Sequence, residues 1–371
     1  MTPYDMMMIN DCLFFSCYED NYLYMLDMKS EYVSSIAFVG NEDLLSERQF
    51  GRMCRCGDRI VFAPMKNKYI CILDTRSMEQ NLVKLPSIPE LLFEDDRLFF
   101  TGIPNGDSVY FFGYSFPGIL VFNICNNELR ILDGFVFGLR INTKKDGMFS
   151  ANYYREKNTV FFPLSNSNAV LEFDLCTEDY KLHYVGDEKQ RYISIVKHCD
   201  SFVLVPRDGR SGSLVVWDYH SGGFKQYRDF PVEYKYLQYS FFRSISCDSG
   251  IILLSHNNEI NILFRPETCE MIKYKDLGED DFLGGVSYVS MWEEDSLCYF
   301  LSKNRLVIFD KDSEMCKLSS YRYSDDIIAR IKRRNKRNDV VKRIAQSRGF
   351  PLIKEGLDEG LSSLIDFLLY G

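Results

Sequence analysis

Apolar and polar residues alternate along most of the chain in a pattern that repeats seven times. Each repeat contains an apolar strand that ends on a polar residue and is followed by a polar turn and a second strand, as in Ser213–Tyr227. The period-2 alternation, rich in Val, Ile, Phe and Tyr, predicts β-strands rather than helical repeats. The strand-ending residues, here called anchors, lie 44 to 51 residues apart and are Asp27, Asp74, Asn123, Asp174, Asp218, Arg265 and Asp310.

Each repeat divides into four strands, A to D, with a polar residue at nearly every A–B turn. The units span Tyr4–Gly40, Phe50–Ile88, Asp96–Asp133, Gly147–Gly186, Tyr192–Pro231, Phe241–Leu277 and Gly284–Tyr323. Because a single unit cannot bury both of its faces, radial stacking is expected. The prediction is an all-β fold, a seven-bladed β-propeller of four-stranded antiparallel blades over residues 1–323, with a short α-helical C-terminal extension over 324–371.

In this arrangement strand A should line the central channel. The D–A and B–C loops then share one face, here called the loop face, and the A–B and C–D turns share the other, the turn face. The first and last blades each have four strands of their own. We therefore expect no strand exchange at the ring seam, which would depend on side-chain packing with help from the C-terminal helices.

Several short motifs resemble those of known propellers. Trp217-Asp218 resembles the strand ending of WD40 repeats, and Gly222-Gly223 and Gly284-Gly285 invite comparison with the glycine doublet of kelch repeats. The four-strand repeat as a whole is similar to streptogramin lyase-type propellers. That likeness implies the seven-bladed architecture. It does not bring lyase chemistry with it, because no strand A of this chain starts with the histidine those enzymes carry.

The composition limits which partners the protein is expected to bind and in which cellular compartment it is expected to occur. The 371 residues carry a net charge of −9 with 46% hydrophobic residues, which disfavours nucleic acid as a partner of the whole molecule. No apolar run reaches about 18 residues and no basic segment precedes Met6–Met8, so neither membrane insertion nor a signal peptide is expected. Twelve cysteines are spread over the repeats, and we expect them to be buried, reduced thiols. Reduced thiols predict a cytoplasmic protein.

Candidate chemistry is sparse. The histidines, His183, His198, His220 and His256, fall at opposite ends of the molecule, and Cys54 and Cys56 lack a second close Cys or His pair. No phosphate-loop, dinucleotide, zincin or hydrolase motif occurs. We therefore expect no metal, no cofactor and no catalytic residue, which favours a non-enzymatic protein.

Tyrosine, phenylalanine and arginine are concentrated at the predicted loop face, at or near the D–A loops and the starts of A strands. Because such residues form interface hot spots and stack on planar ligands, they are the predicted binding residues: Arg140, Tyr153, Arg155, Arg191, Tyr192, Tyr236, Phe242 and Arg243. The leading hypothesis is an interaction scaffold that binds a protein partner through this face. The alternatives are a lyase or hydrolase, or a glycan-binding module, acting at the channel mouth.

The pattern changes after Tyr323. Ser324-Asp325-Asp326 predicts a helix cap, and nine Lys or Arg lie between Arg330 and Arg348. A second amphipathic helix is predicted around Leu357–Leu368. Three roles stay open for this extension: docking on the propeller edge, docking on a partner, and contact with an anionic surface.

Overall fold

The computed structural model has the predicted fold, a seven-bladed β-propeller. It describes residues 1–41, 48–87, 96–140, 146–208, 212–234, 240–255, 260–274, 290–301 and 305–347, with backbone only for 337–347. Its strands form seven sheets, and each contains four consecutive antiparallel strands. The fold class inferred from the repeat is therefore confirmed.

The strands are short and evenly spaced. Blades 1 to 3 contain β1 (Pro3–Ile9), β2 (Cys12–Cys17), β3 (Tyr22–Asp27), β4 (Tyr32–Phe38), β5 (Phe50–Cys56), β6 (Arg59–Pro64), β7 (Tyr69–Asp74), β8 (Gln80–Lys84), β9 (Phe99–Asn105), β10 (Ser108–Gly113), β11 (Ile119–Asn123) and β12 (Leu129–Leu132). A 3-10 turn, Val136–Gly138, follows. Blades 4 and 5 contain β13 (Tyr154–Glu156), β14 (Thr159–Pro163), β15 (Ala169–Asp174), β16 (Tyr180–Tyr184), β17 (Tyr192–His198), β18 (Ser201–Pro206), β19 (Leu214–Asp218) and β20 (Phe224–Tyr227).

Blades 6 and 7 and the C-terminal segment complete the chain. They contain β21 (Phe241–Cys247), β22 (Gly250–Ser255), β23 (Asn261–Arg265), β24 (Glu270–Tyr274), β25 (Met291–Glu294), β26 (Leu297–Leu301), β27 (Arg305–Asp310), β28 (Met315–Ser320), β29 (Arg322–Tyr323) and α1 (Asp325–Ser347).

The A strands of most neighbouring blades lie next to one another. β1 contacts β5 and β25, β5 contacts β9, and β17 contacts β21. The middle strands are almost wholly buried, whereas the D strands β8, β16 and β20 are largely exposed. Strand A therefore lines the axis and strand D the rim, as the sequence predicted.

The anchor residues hold the C–D turns. Oδ1 of Asp74 accepts hydrogen bonds from the backbone N–H groups of Arg76 and Ser77, both at 2.9 Å. Asn123 makes the equivalent bonds in blade 3 with Cys125 and Asn126. The recurrence of Asp or Asn at this place is explained by turn formation.

The apolar cores lie between blades rather than within them. Seven clusters of buried side chains occur among the described residues, and each combines side chains from two neighbouring blades. Phe112 and Phe162, for example, stack across blades 3 and 4 with ring centroids 4.8 Å apart. Each blade is thus stabilised by its neighbours, which agrees with the radial stacking inferred from the repeat.

The seam between blades 7 and 1 contains an element that the sequence did not predict. β29 pairs in parallel with β4, so Arg322 and Tyr323 lie opposite Tyr32 and Val33. The adjoining core joins Phe15 of blade 1 and Leu306 of blade 7 to Ile327 in the first turn of α1. The seam is therefore closed by backbone pairing as well as by packing, and a fifth strand covers the edge of blade 1.

Helix α1 begins where Ser324-Asp325-Asp326 predicted. Oγ of Ser35 donates a 3.0 Å hydrogen bond to Asp326, and the Arg330 guanidinium carbon lies 3.5 Å from the centroid of the Tyr22 ring. The predicted second helix, Leu357–Leu368, lies outside the described residues. In the part of the chain that the structure describes, no helix has the length and apolar character needed to cross a bilayer.

All twelve cysteines are free. The expectation that they are all buried is wrong, because Cys125, Cys176, Cys199 and Cys269 are exposed. Three of these four lie in C–D turns, and Cys199 lies in an A–B turn, where the chain reverses at the surface.

Candidate ligand-binding site at the channel mouth

A cavity of about 280 Å³ opens on the loop face. Its lining residues come from the starts of A strands, the D–A loops before them, and the residues directly after B strands. They are Tyr4, Tyr18, Arg48, Arg97, Phe100, Tyr114, Ser150, Ala151, Ile193, Arg207 and Phe242. These positions lie at the mouth of the central channel, and we call this space the mouth cavity.

Two units of the same design form part of the mouth cavity. In the first, Tyr4 and Tyr18 of blade 1 pack edge to face with their ring centroids 5.0 Å apart. The guanidinium carbon of Arg48 lies 3.2 Å from the centroid of the Tyr4 ring and 4.7 Å from that of Tyr18. Nε and Nη1 of Arg48 are buried and have no hydrogen-bond partner among the described residues.

The second unit repeats this arrangement in blade 3. Phe100 and Tyr114 pack edge to face with their ring centroids 4.6 Å apart. The Arg97 guanidinium carbon lies 5.2 Å and 5.3 Å from the two centroids. In both units an aromatic side chain near the start of strand A meets one that directly follows strand B, and a D–A loop supplies the arginine.

A third arginine belongs to an ion cluster at the cavity wall. Arg207, which is 2% exposed, donates a 2.7 Å hydrogen bond to Oδ1 of Asp146. Arg191 donates a 2.5 Å bond to the other oxygen of the same carboxylate and lies 3.8 Å from Asp208. Two arginines are thus fixed by one carboxylate, which orients Arg207 and leaves it only partly neutralised.

Three cavity residues also belong to a buried polar network that links several blades. Arg52 donates to the backbone oxygen of Ala151 and, at 3.1 Å, to Oδ1 of Asn152. Asn152 in turn donates to the backbone oxygens of Ile193 and Phe242 at 3.1 and 2.7 Å. The network ties blades 2, 4, 5 and 6 together and gives the mouth cavity rigid walls.

Asp5 joins this network from blade 1. Nε of Arg52 lies 3.9 Å from its Oδ1, and the backbone N–H of Met53 donates to its Oδ2 at 2.7 Å. Burial raises the pKa of Asp5, although Arg52 and the Met53 hydrogen bond act in the opposite direction. Burial, with Arg52 as a second cause, lowers the pKa of Arg243 to about 9. Charged groups therefore stand close together in a poorly solvated channel.

The hydroxyl of Tyr18 stays protonated at neutral pH. Burial and the neighbouring Tyr4 raise the pKa of Tyr18 to about 12, although Arg48 acts against this. The mouth cavity thus offers arginine N–H groups and a tyrosine O–H group. Its described lining contains three arginines and no carboxylate, which favours a ligand with negative charge.

Four of the predicted binding residues lie in or beside the mouth cavity. Phe242 lines it, and Arg191 belongs to the ion cluster that holds Arg207. Arg243 interacts electrostatically with Arg52, Asp5 and Tyr153 in the channel. Burial raises the pKa of Tyr153, whose ring packs against Phe162 with centroids 5.5 Å apart.

Three others lie elsewhere, and Tyr236 lies outside the described residues. Tyr192 is fully buried in the core between blades 4 and 5, and its hydroxyl donates to the backbone oxygen of Val185 at 2.7 Å. Arg140 lies 4.9 Å from the ring centroid of Tyr184 on the outer strand of blade 4. Arg155 lies in strand A of blade 4, beside the A–B turn of the turn face, and donates to the backbone oxygens of Lys157 and Pro104.

The two arginine–aromatic units are not among the predicted binding residues, all of which follow blade 3 in the chain. A positional rule would have found them. Arg48 and Arg97 each lie two residues before strand A, and Tyr18, Tyr114 and Arg207 each directly follow strand B.

Comparison with known proteins shows the fold and nothing finer. No protein-family model matches the chain, and no curated protein sequence matches it. Virginiamycin B lyase from Staphylococcus aureus is similar in structure, with a TM-score of 0.56 and 12% identity over 81% of this chain and 91% of the lyase chain. Hsv2 from Kluyveromyces lactis is 12% identical over 86% of this chain and 98% of the Hsv2 chain, with a TM-score of 0.49. BamB from Moraxella catarrhalis is 10% identical over 84% of this chain and 82% of the BamB chain, also with a TM-score of 0.49. The likeness in fold to virginiamycin B lyase confirms the prediction of a propeller similar in architecture to streptogramin lyases.

Proposed function

We propose that this protein is a non-enzymatic binding protein whose mouth cavity captures an acidic group of a protein partner. One observation carries the proposal: two arginine–aromatic units and Arg207 converge on one cavity whose described lining contains no carboxylate. The protein as a whole has a net charge of −9. The positive cavity is therefore a local feature that selects a particular acidic group rather than polyanions in general.

The chemistry of the lining suits a carboxylate. A guanidinium can donate two parallel hydrogen bonds to one carboxylate, and such charge-assisted bonds are stronger than neutral ones. Because Arg48 rests on aromatic rings and is partly shielded from water, little of its conformational freedom remains to be lost on binding. Its buried Nε and Nη1, which have no partner among the described residues, gain one when a ligand oxygen enters.

The size of the cavity favours a side chain or a chain end over a large cofactor. Its volume of about 280 Å³ is below the usual range of small-molecule sites, which is roughly 300–1,000 Å³. A partner would therefore insert one acidic group and contact the surrounding loop face with the rest of its surface. The twelve free cysteines support placing this interaction in the cytoplasm.

Binding of a fluorescently labelled glutamate-rich peptide, followed by anisotropy, tests the proposal. Arg48→Gln and Arg97→Gln should each weaken binding roughly 10- to 150-fold, since a hydrogen bond to a charged group contributes about 1.5–3 kcal/mol. Arg140→Gln is the matched control, because Arg140 is also stacked on a tyrosine, but that tyrosine, Tyr184, belongs to the outer strand of blade 4 and does not line the mouth cavity. Equal affinity for a glutamine-rich peptide, or an equal loss in Arg140→Gln, would refute the proposal.

A second candidate function is catalysis on an acidic glycan, favoured by Asp5. A buried carboxyl group with a raised pKa, close to two arginines, is a typical general acid or base. Incubation with polygalacturonate tests this function, with reducing ends and unsaturated ends measured separately. Product formation that is lost in Asp5→Asn would support an enzyme. The absence of product with wild-type protein at high concentration would count against one.

A further inference from the structure

A second site lies on the turn face, away from the mouth cavity. It joins the A–B turn of blade 5 to the C–D turn of blade 6. The potential ligand atoms of His198, Cys199 and Glu267 all lie within 4.8 Å of one another. From these groups we propose a divalent metal site of the kind that binds Zn²⁺, with Nε2 of His198, Sγ of Cys199 and a carboxylate oxygen of Glu267 as ligands.

The imidazole and the carboxylate already have the spacing of two ligands of a tetrahedral ion. Nε2 of His198 lies 3.3 Å from Oε1 of Glu267. With metal–ligand bonds of about 2.0–2.1 Å, two ligand atoms of a tetrahedral zinc ion are separated by about 3.3–3.4 Å. The exposed Cys199 and Glu267 side chains can adjust to the remaining distance, whereas the His198 side chain is only 10% exposed and is held in place.

A serine fixes the orientation of the imidazole. Nδ1 of His198 lies 2.9 Å from Oγ of Ser246 in the neighbouring strand β21. When Nδ1–H donates to this oxygen, the lone pair of Nε2 faces Glu267. Nε2 of His198 and Oε1 of Glu267, both acceptors, then face each other, and a cation between them would stabilise this arrangement. Histidine ligands of metals commonly have such an outer hydrogen bond, which sets both tautomer and orientation.

Cys199 and Lys157 are the two residues at this place of the repeat that are not Asn, Asp or Gly. Cys199 has a φ of +51°, in the first position of a two-residue A–B turn. The other blades have Asn10, Gly57, Gly106, Lys157, Asp248 and Asp295 there. Asn, Asp and Gly tolerate positive φ best. Cysteine is less favourable than Asn, Asp or Gly at this turn position, but it places a thiol next to His198 and Glu267.

The proposed chemistry is binding, with one proton released. The thiol of Cys199 loses its proton to solvent as the thiolate coordinates the ion, and the imidazole binds in its neutral form. Three protein ligands leave a fourth position for water, which is the arrangement of an open zinc site. The site needs no contribution from the mouth cavity and is independent of the proposed function.

Titration of the full chain with Co²⁺ as a spectroscopic substitute for Zn²⁺ tests the site. We expect one equivalent to produce a thiolate-to-cobalt charge-transfer band, which Zn²⁺ then removes. Cys199→Ser should abolish the band. Glu267→Gln should weaken Zn²⁺ binding, measured against a chromophoric chelator, and Ser246→Ala should weaken it about tenfold.

Cys176→Ser is the matched control. Cys176 is also exposed, and it lies at the equivalent junction of blades 3 and 4. Its Sγ lies 3.7 Å from Nδ2 of Asn105. Asn105 supplies neither an imidazole nor a carboxylate to bind a metal ion. This variant should retain the band. The proposal is overturned if wild-type protein gives no band at one equivalent, or if the band persists in Cys199→Ser. Circular dichroism of Cys199→Ser verifies that a lost band does not result from unfolding.

Discussion

The guanidinium of Arg48 lies over the ring of Tyr4, with its central carbon 3.2 Å from the ring centroid. The arginine comes from a D–A loop and the tyrosine from the first strand of the propeller, so the contact ties the loop to the rigid axis. The ring supports the cation without neutralising it. The positive charge therefore stays available at the mouth cavity.

This contact predicts that Tyr4 contributes to ligand affinity without touching the ligand's charge. Tyr4→Leu should weaken binding of the glutamate-rich peptide by about 0.5–2 kcal/mol, the range of cation–π contacts. Tyr4→Phe keeps the aromatic face and should bind nearly as wild type does. Anisotropy titrations at one fixed salt concentration compare the two, and equal losses would show that the hydroxyl rather than the ring matters.

Ile327 should contribute strongly to the stability of the whole ring. Its side chain is fully buried in the core between blades 7 and 1, and truncating such a residue to alanine typically costs about 2–5 kcal/mol. Ile328 is its matched control, because it lies in the same helical turn and is 38% exposed. Urea unfolding should show a much larger loss for Ile327→Ala than for Ile328→Ala. Similar losses would indicate that helix propensity, and not the seam, is responsible.

Acid should destabilise the turn face through the anchor residues. Turn hydroxyl and backbone N–H donors lower the pKa values of Asp27, Asp74, Asp174, Asp218 and Asp310. Because the folded-state pKa lies below the unfolded value of about 3.9, this stabilisation is present above that pH and is lost as the pH falls through the folded-state values.

Replacing anchors by asparagine tests this effect, because Asn123 already performs the turn role in blade 3. The variants Asp74→Asn, Asp174→Asn and Asp218→Asn, combined, should flatten the dependence of Tm on pH between about 2 and 4. Near neutral pH the fold should change little. An unchanged acid profile would show that other carboxylates determine acid stability.

Close contact of the inner strands predicts a strict glycine at position 51. A Cβ on Gly51 would lie 2.6 Å from the backbone oxygen of Phe100 in the next blade. Gly51→Ala should therefore separate β5 from β9 and cost about 1–3 kcal/mol in chemical denaturation. At Gly134 the nearest atom lies 3.8 Å from the added Cβ, so Gly134→Ala should be tolerated. Equal tolerance at both positions would contradict the close packing.

Nearly the whole fold could be predicted from the repeat. The site could not, because its residues come from separate blades and meet only in the folded protein. Alternation and turn residues are local, so strands, blade number and strand order follow from them. The pairing of β29 with β4 has almost no local signal, since Arg322 and Tyr323 form only two residues of strand. Likewise Tyr192 and Arg191 are neighbours in sequence, yet one is buried between blades and the other reaches an ion cluster. Tyr192 is the first residue of β17, whereas Arg191 still belongs to the D–A loop before it.

The parallel pairing at the seam has a consequence for the order of folding. Ser35 and Asp326 bond across a separation of 291 residues, whereas the other blade interfaces form between consecutive repeats. During synthesis, six interfaces can form as their blades emerge, but the first blade has one apolar face uncovered until the last strand and helix α1 arrive. Contacts so distant in sequence form slowly, and an uncovered face is prone to aggregation. The final residues of the ring thus decide how long the nascent protein needs protection.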